Sequence, residues 1–105
     1  MSRREPWTDE LHRLRAEIDA SNREILAHLK RRAELVGSVA ELKEAHGLPA
    51  HDPRREEEML RKLAHEAAGL LTATDVRAIF SAIFHVGLEI QRRRPAPGAS
   101  SQSVS

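Results

Sequence analysis

The sequence contains no cysteine and no tyrosine, and its aromatic residues are one tryptophan and two phenylalanines. The absence of cysteine excludes a disulfide framework and a thiolate zinc site. The 17 basic and 16 acidic residues nearly cancel, so no general excess of positive charge favours nucleic acid or an anionic membrane as a partner. No apolar run resembles a signal peptide or a membrane span. We therefore expect one soluble domain that resides in the cytoplasm.

Histidine is the remaining residue type that could suggest a metal centre. The six histidines include no His-x-x-x-His pair on one face of a predicted helix. Zinc sites need ligands that converge on one point. We therefore predict neither a metal site nor a cofactor.

What the sequence does contain is an uninterrupted helical pattern near its amino end. Residues 8–45 include no proline and a single glycine, Gly37, and their apolar side chains recur in steps of three and four. This pattern predicts one helix of roughly 55 Å, which exceeds the ~30 Å width of a small domain. A chain of 105 residues cannot cover such a helix alone. We expect a second copy of the chain to do so, since two-fold homodimers are the commonest oligomers.

A second predicted helix begins after a clear break. Gly47 is typical of the residue that follows a helix end, and Pro49 supports the stop. Asp52 is a typical N-cap, and it precedes Pro53, which suits the first helical position. The second helix is therefore predicted over residues 53–68.

A third predicted helix begins at a capping box. Gly69 ends the second helix, and Thr72 with Asp75 fits the Thr-x-x-Asp variant of that motif. The apolar pattern then fades at the arginines 92–94, and residues 95–105 have nothing to bury, which predicts disorder. The predicted class is all-α, with one long helix and two shorter ones. A lead-in, one helical domain and a tail are predicted at residues 1–7, 8–94 and 95–105.

Two cations interrupt the apolar stripe of the long helix. Arg32 and Lys43 share a face with aliphatic side chains, and in a helix they would stand about 16 Å apart along the axis. Such long side chains could hold a small anion between them. In the alternative interpretation, their stems pack against the apolar stripe while their charged heads stay in water.

Polar residues of the two shorter helices could complete such an anion site. Asp52, Arg55 and Glu56 stand three and four residues apart, and therefore share a helix face. Gln91 follows Gly87 by four residues on the apolar stripe of the third helix. A helix cap, a solvated ion pair and a frayed helix end are the structural alternatives for these residues.

In order and spacing, these residues resemble the all-helical class of chorismate mutases over residues 11–93. The resemblance rests on Leu14-Arg15-x-x-Ile18, Arg32, Lys43, Asp52-x-x-Arg55-Glu56 and Gln91. It implies an intertwined homodimer of three-helix protomers, in which each of two sites draws one arginine from the other chain. Antiparallel pairing of the long helices would bring the Arg15 end of one helix to the middle of the other.

The resemblance also implies a role for each of the cationic residues. Arg15 of the partner chain and Arg32 would bind the two carboxylates of chorismate. Lys43 would contact a carboxylate and the ether oxygen, and Gln91 would donate a hydrogen bond to the same oxygen. Lys43, Gln91 and Arg32 are therefore the expected catalytic residues.

The remaining substrate-binding residues are expected around the ring hydroxyl. By the same resemblance, Glu56 and the backbone at Asp52 would hold this hydroxyl, and Arg55 would border the site. Gly87 departs from the family pattern, because a serine that donates to a carboxylate is expected there. One missing neutral donor costs about 1 kcal/mol, so we expect weakened activity rather than none.

The implied reaction is the Claisen rearrangement of chorismate to prephenate, in the shikimate pathway to phenylalanine and tyrosine. We expect a stand-alone mutase. Two sister activities on the same scaffold are alternatives, namely an isochorismate pyruvate lyase and a 4-amino-4-deoxychorismate mutase. Glu56 favours the hydroxylated substrate, because a carboxylate accepts a hydrogen bond from a hydroxyl. A non-catalytic helical dimer that serves as an interaction module is an alternative of a different class.

Overall fold

The computed structural model describes residues 5–67 and 69–94, and this part of the chain contains three helices and no strand. The helices are α1 (Thr8–Ala45), α2 (Pro53–Glu66) and α3 (Ala73–Arg93). The predicted all-α class, with one long helix and two shorter ones, is confirmed. Helix α2 ends two residues before the predicted position, because Ala67 already leaves the helix as its C-cap. The prediction of a disordered tail falls on residues outside the described part.

Capping motifs fix the starts of the two shorter helices as predicted. The carboxylate of Asp52 caps α2 by accepting a hydrogen bond from the Arg55 backbone N–H at 3.1 Å. At α3, the Thr72 hydroxyl accepts from the Asp75 N–H, and the Asp75 carboxylate accepts from the Thr72 N–H, both at 3.0 Å. These bonds occupy N–H groups that have no partner within the helix.

Helix α1 ends in a tight turn that depends on glycine. Gly47 has a φ of +67°, a left-handed conformation that a side chain disfavours. The Leu48 N–H then donates to the Lys43 carbonyl oxygen at 2.8 Å, which is the long bond of a Schellman motif. The chain therefore reverses immediately beside Lys43.

The structure divides into two units between Arg32 and Ala33. In the second unit, α2 packs against α3, and Arg77 of α3 donates two hydrogen bonds to Glu57 of α2, at 2.9 and 3.1 Å. The buried apolar residues of this unit come from all three helices. They are Ala40, Leu60, Val76 and Phe84.

The first unit contains the amino-terminal part of α1, and its apolar side chains are exposed. Its large apolar residues with more than a third of their surface exposed are Trp7, Leu14, Ile18, Ile25, Leu26 and Leu29. Apolar surface that recurs along one helix in this way is typical of an interaction face. Among the described residues, no helix has the combined length and apolar character needed to cross a membrane.

Candidate active site

A cleft of about 240 Å³ lies in the second unit, lined by the ends of α1 and α3 and by the α1–α2 connection. Two residues that the sequence predicts for the site, Lys43 and Gln91, both line this cleft. Both are half-buried. The other polar or charged residues of the lining are Glu44, His51, Arg92 and Arg94.

Lys43 is held at the carboxyl end of α1 by its backbone and by its side chain. Its carbonyl oxygen accepts the bond from Leu48 described above, and its Nζ donates to the Ala50 carbonyl oxygen at 3.0 Å. A cation in the last turn also interacts favourably with the helix dipole. The ammonium group is therefore oriented before any ligand arrives, and an ammonium has three donors.

Gln91 lies in the last turn of α3 and brings an uncharged donor to the same cleft. Its carbonyl oxygen accepts a hydrogen bond from the Arg94 backbone N–H at 3.3 Å. Its side-chain amide can donate without first gaining a proton. Gly87, four residues earlier, is buried and has no side-chain donor. The position at which this sequence departs from the family pattern is therefore in the protein interior.

Glu56 is linked to the cleft through His51. The His51 Nε2 atom lies 3.2 Å from the Glu56 Oε2 atom, and Glu56 is half-buried. Asp52 and Arg55 are exposed at the start of α2, where the Asp52 carboxylate forms the cap. The cap that was an alternative for Asp52 is therefore confirmed, and substrate contacts of these residues stay predictions.

Arg15 and Arg32 belong to the first unit, and neither is among the residues that line the cleft. Arg15 is exposed, whereas Arg32 is half-buried. Their participation in the site stays a prediction. Among the described residues, no group of three or more histidine or acidic side chains is arranged to hold a metal ion.

Arg94 is a cation of the cleft that the sequence reasoning missed. It follows the last residue of α3, and its guanidinium pairs with Glu44 of α1 and lies 3.9 Å from the Glu41 carboxylate. Its side chain is only 19% exposed. A usable signal was its position three residues after Gln91, which places both residues on one helix face.

Among the described residues, two carboxyl groups have displaced pKa values, and both lie outside the cleft and have structural roles. The Thr72 backbone N–H, and then its hydroxyl, lower the pKa of Asp75 below its ordinary value. A hydrogen bond from Arg77 lowers the pKa of Glu57. These groups stabilise the start of α3 and its packing on α2.

The family model for chorismate mutase type II matches residues 14–92, which is most of the chain. This chain belongs to the chorismate mutase type II family. The match includes Arg15, Arg32, Lys43, Glu56 and Gln91, so every helix contributes to it. The resemblance inferred from the sequence is confirmed.

The curated proteins that resemble this chain are much longer than it. It is 44% identical over 66 residues to the T-protein of Haemophilus influenzae, a match that covers 61% of this chain and 18% of that protein. It is also 44% identical over 55 residues to the bifunctional chorismate mutase/prephenate dehydratase of Aquifex aeolicus, covering 52% of this chain and 15% of that protein. The chain therefore spans less than a fifth of the length of these relatives.

Solved structures of chorismate mutases match the fold over nearly their full length. Form II of the chorismate mutase from Thermus thermophilus has a TM-score of 0.79 and 39% identity, covering 83% of this chain and 99% of that one. The chorismate mutase from Helicobacter pylori in complex with prephenate has a TM-score of 0.76 and 28% identity, covering 81% and 92% of the two chains.

Proposed function

We propose that this protein catalyses the rearrangement of chorismate to prephenate, as a step towards phenylalanine and tyrosine. Membership of the chorismate mutase type II family supports this activity. The structural observation that carries it is the presence of Lys43 and Gln91 in one cleft. A biosynthetic enzyme of this kind suits the cytoplasm.

The chemistry of this reaction requires few functional groups. Within one molecule, the ether C–O bond breaks while a C–C bond forms, and negative charge grows on the ether oxygen. The ammonium of Lys43 and the amide of Gln91 would stabilise that charge, since oriented donors in a cleft are effective where charge develops. No external proton or electron is transferred. The enzyme must mainly hold a flexible dianion with its reacting carbons close together.

The remaining predicted residues would bind the substrate. Arg32 and the partner chain's Arg15 would bind its two carboxylates, because a guanidinium can form two parallel hydrogen bonds with a carboxylate. Glu56 would accept from the ring hydroxyl beside the Asp52 backbone, and Arg55 would border this end of the site. The half-buried position of Glu56 and its contact with His51 support this placement.

We also propose that the chain functions as an intertwined homodimer. The supporting observation is the exposed apolar face of the first unit, where Ile18 is 58% exposed and Ile25 54%. Full burial of such a side chain from complete exposure contributes about 1.5–3 kcal/mol, so covering these half-exposed residues would contribute about half of that each. A second copy of the same chain would cover this face and would bring Arg15 to a site of the partner.

The test is to follow the decay of chorismate absorbance with the purified protein and to identify the product by chromatography. Isochorismate and 4-amino-4-deoxychorismate are offered in parallel, without chorismate. Prephenate formation from chorismate alone is the expected result. Preferred turnover of either other compound would replace the proposal by the corresponding sister activity. No turnover of any compound would favour a non-catalytic helical dimer, which is the weaker candidate because Lys43 and Gln91 share a cleft.

A further inference from the structure

Helices α1 and α3 are joined at the cleft by side chains rather than by close backbone packing. In the described part of the chain, the helices whose Cα traces approach within 8 Å of each other are α2 and α3. Arg94 spans the remaining gap, because it pairs with Glu44 and lies 3.9 Å from Glu41, both on α1. Lys43 stands between these two glutamates in the sequence.

The end of α3 needs such a link because Gln91 lies in its last turn. The final carbonyl groups of a helix have no partner within it, and this turn opens most easily. The Gln91 carbonyl accepts a long hydrogen bond, 3.3 Å, from the Arg94 N–H. If the last turn opened, the side-chain amide of Gln91 would leave its place in the cleft.

The neighbouring arginines cannot replace Arg94 in this link. Arg92 pairs with Glu89 of its own helix at 2.8 Å, and Arg93 donates to the Glu89 carbonyl oxygen at 3.3 Å. Both arginines are exposed. Arg94 is 19% exposed and reaches another helix. Three identical consecutive residues therefore have different surroundings.

We propose that Arg94 is a positioning residue that holds Gln91 in the cleft by fastening the end of α3 to Glu41 and Glu44 of α1. This inference rests on the proposed function, because it assumes that Gln91 donates to the ether oxygen. Arg94 itself needs no contact with the substrate. The two terminal nitrogens of its guanidinium face the carboxylates of Glu41 and Glu44, while its Nε is buried without a hydrogen-bond partner among the described residues. Its effect on the reaction passes through Gln91.

The first measurement is backbone hydrogen exchange in the full-length protein, which does not depend on catalysis. Arg94→Ala should accelerate exchange in the last turn of α3 by roughly fivefold, the scale of a partly exposed ion pair. Arg93→Ala is the matched control, since it removes the same charge one residue earlier. In this variant, exchange in the last turn of α3 should stay near the wild-type rate. Equal exchange in both variants would overturn the inference.

The second measurement is a double-mutant cycle between Arg94→Ala and Gln91→Ala in the chorismate assay. We expect Arg94→Ala to lower kcat by up to about fivefold, the factor by which the last turn opens more readily, with little change in KM. It should have no further effect when Gln91 is already alanine. Arg94→Lys, which retains a cation, should recover part of the loss. An equal loss in both backgrounds would mean a general structural role and would overturn the inference.

The cycle also separates a failure of the positioning role of Arg94 from a failure of the role proposed for Gln91. If Gln91→Ala impairs catalysis and Arg94→Ala does not, the positioning role is wrong while the proposed function stands. If Gln91→Ala leaves kcat unchanged, the role proposed for Gln91 is wrong, and the positioning role of Arg94 fails with it.

Discussion

The Nζ atom of Lys43 donates a hydrogen bond to the carbonyl oxygen of Ala50, seven residues later and 3.0 Å away. This bond crosses the turn at Gly47, so the connection after α1 holds the lysine head at the cleft. An ammonium has three donors, and two remain for a substrate. The group is therefore oriented in advance, which is the condition under which a donor contributes most to catalysis.

Replacement of Lys43 by alanine should abolish most of the activity without unfolding the protein. Loss of one oriented donor to a developing charge lowers kcat by about 10²–10³-fold. Arg32→Ala should have a comparable effect on kcat/KM. Lys62→Ala is the control, since Lys62 is an exposed lysine of α2. Turnover is compared with the helical circular-dichroism signal, and a loss of helicity that parallels the loss of activity would contradict the role.

Gln91→Glu should make the activity depend on pH. The wild-type amide donates at every pH, so we expect little loss of kcat between about pH 6 and 8 from this residue. A glutamate donates only when protonated, and its ordinary pKa is about 4.3. The variant should therefore gain activity as the pH falls and approach the wild type only in acid. Initial rates of both proteins are measured from about pH 4 to 8, a range that includes the ordinary pKa of glutamate, in buffers of constant ionic strength.

A flat profile for Gln91→Glu with full activity would contradict the donor role of Gln91. A steep fall of the wild-type rate between about pH 6 and 8 would contradict it as well.

The predictable part of the fold follows from local chemistry. The end of α1 and the starts of α2 and α3 were predictable, because Gly47, the cap Asp52 and the Thr72–Asp75 capping box each act within a few residues of the chain. The sharing of one cleft by Lys43 and Gln91 followed from the family resemblance. The apolar periodicity of the helices alone left open whether these side chains point into solvent or line a binding site.

The less predictable part depends on contacts between distant segments. Within a run of three arginines, only its spacing of three residues from Gln91 distinguishes Arg94, and its contacts are set by how α3 ends against α1. The contact between His51 and Glu56 depends similarly on the path of the connection before α2. Coverage of the exposed face of the first unit would involve another chain in the proposed homodimer, and one sequence can only indicate the need for it.

Gly87→Ser should restore the donor that the family pattern leads us to expect. A neutral hydrogen bond contributes about 1 kcal/mol, which corresponds to a roughly fivefold lower KM for chorismate. Gly87→Ala is the matched control, because it adds the Cβ atom at this buried position without the hydroxyl. Steady-state kinetics of both variants separate the hydroxyl from the added volume. Equal KM values would show that position 87 does not contact the substrate.

The capping box of α3 should contribute stability that acid removes. Hydrogen bonds from Thr72 lower the folded-state pKa of Asp75 below its ordinary value of 3.8. The contribution is therefore fully present above the unfolded-state pKa, and it is lost as the pH falls through the lower folded-state pKa. Asp75→Asn should be less stable than the wild type near pH 7, and the difference should shrink below about pH 3.8.

Thermal unfolding at fixed protein concentration measures this difference in stability, since the proposed dimer would make Tm depend on concentration. Asp19→Asn is the control, because Asp19 is an exposed aspartate of α1. A stability difference for Asp75→Asn that stays constant down to about pH 2.5 would contradict the pKa argument.

Mixed dimers should recover activity from two inactive variants if Arg15 serves the partner's site. In a dimer of Arg15→Ala with Arg32→Ala, one site receives both intact arginines and the other receives neither. Random exchange of equal amounts makes half of the dimers mixed, so about a quarter of the wild-type activity should return. The measurement is the chorismate rate after the two proteins are unfolded, mixed and refolded together.

The matched control is a mixture of Arg32→Ala with Lys43→Ala, two residues proposed to act in the same site from the same chain. Each site of that mixed dimer lacks one of the two residues, so mixing should recover nothing. Recovery in both mixtures would mean that Arg32 and Lys43 also come from different chains, which would contradict the proposed arrangement of the site. Recovery in neither would place Arg15 and Arg32 in one chain's site, because only a residue contributed across the two-fold axis can be restored by an exchange of subunits.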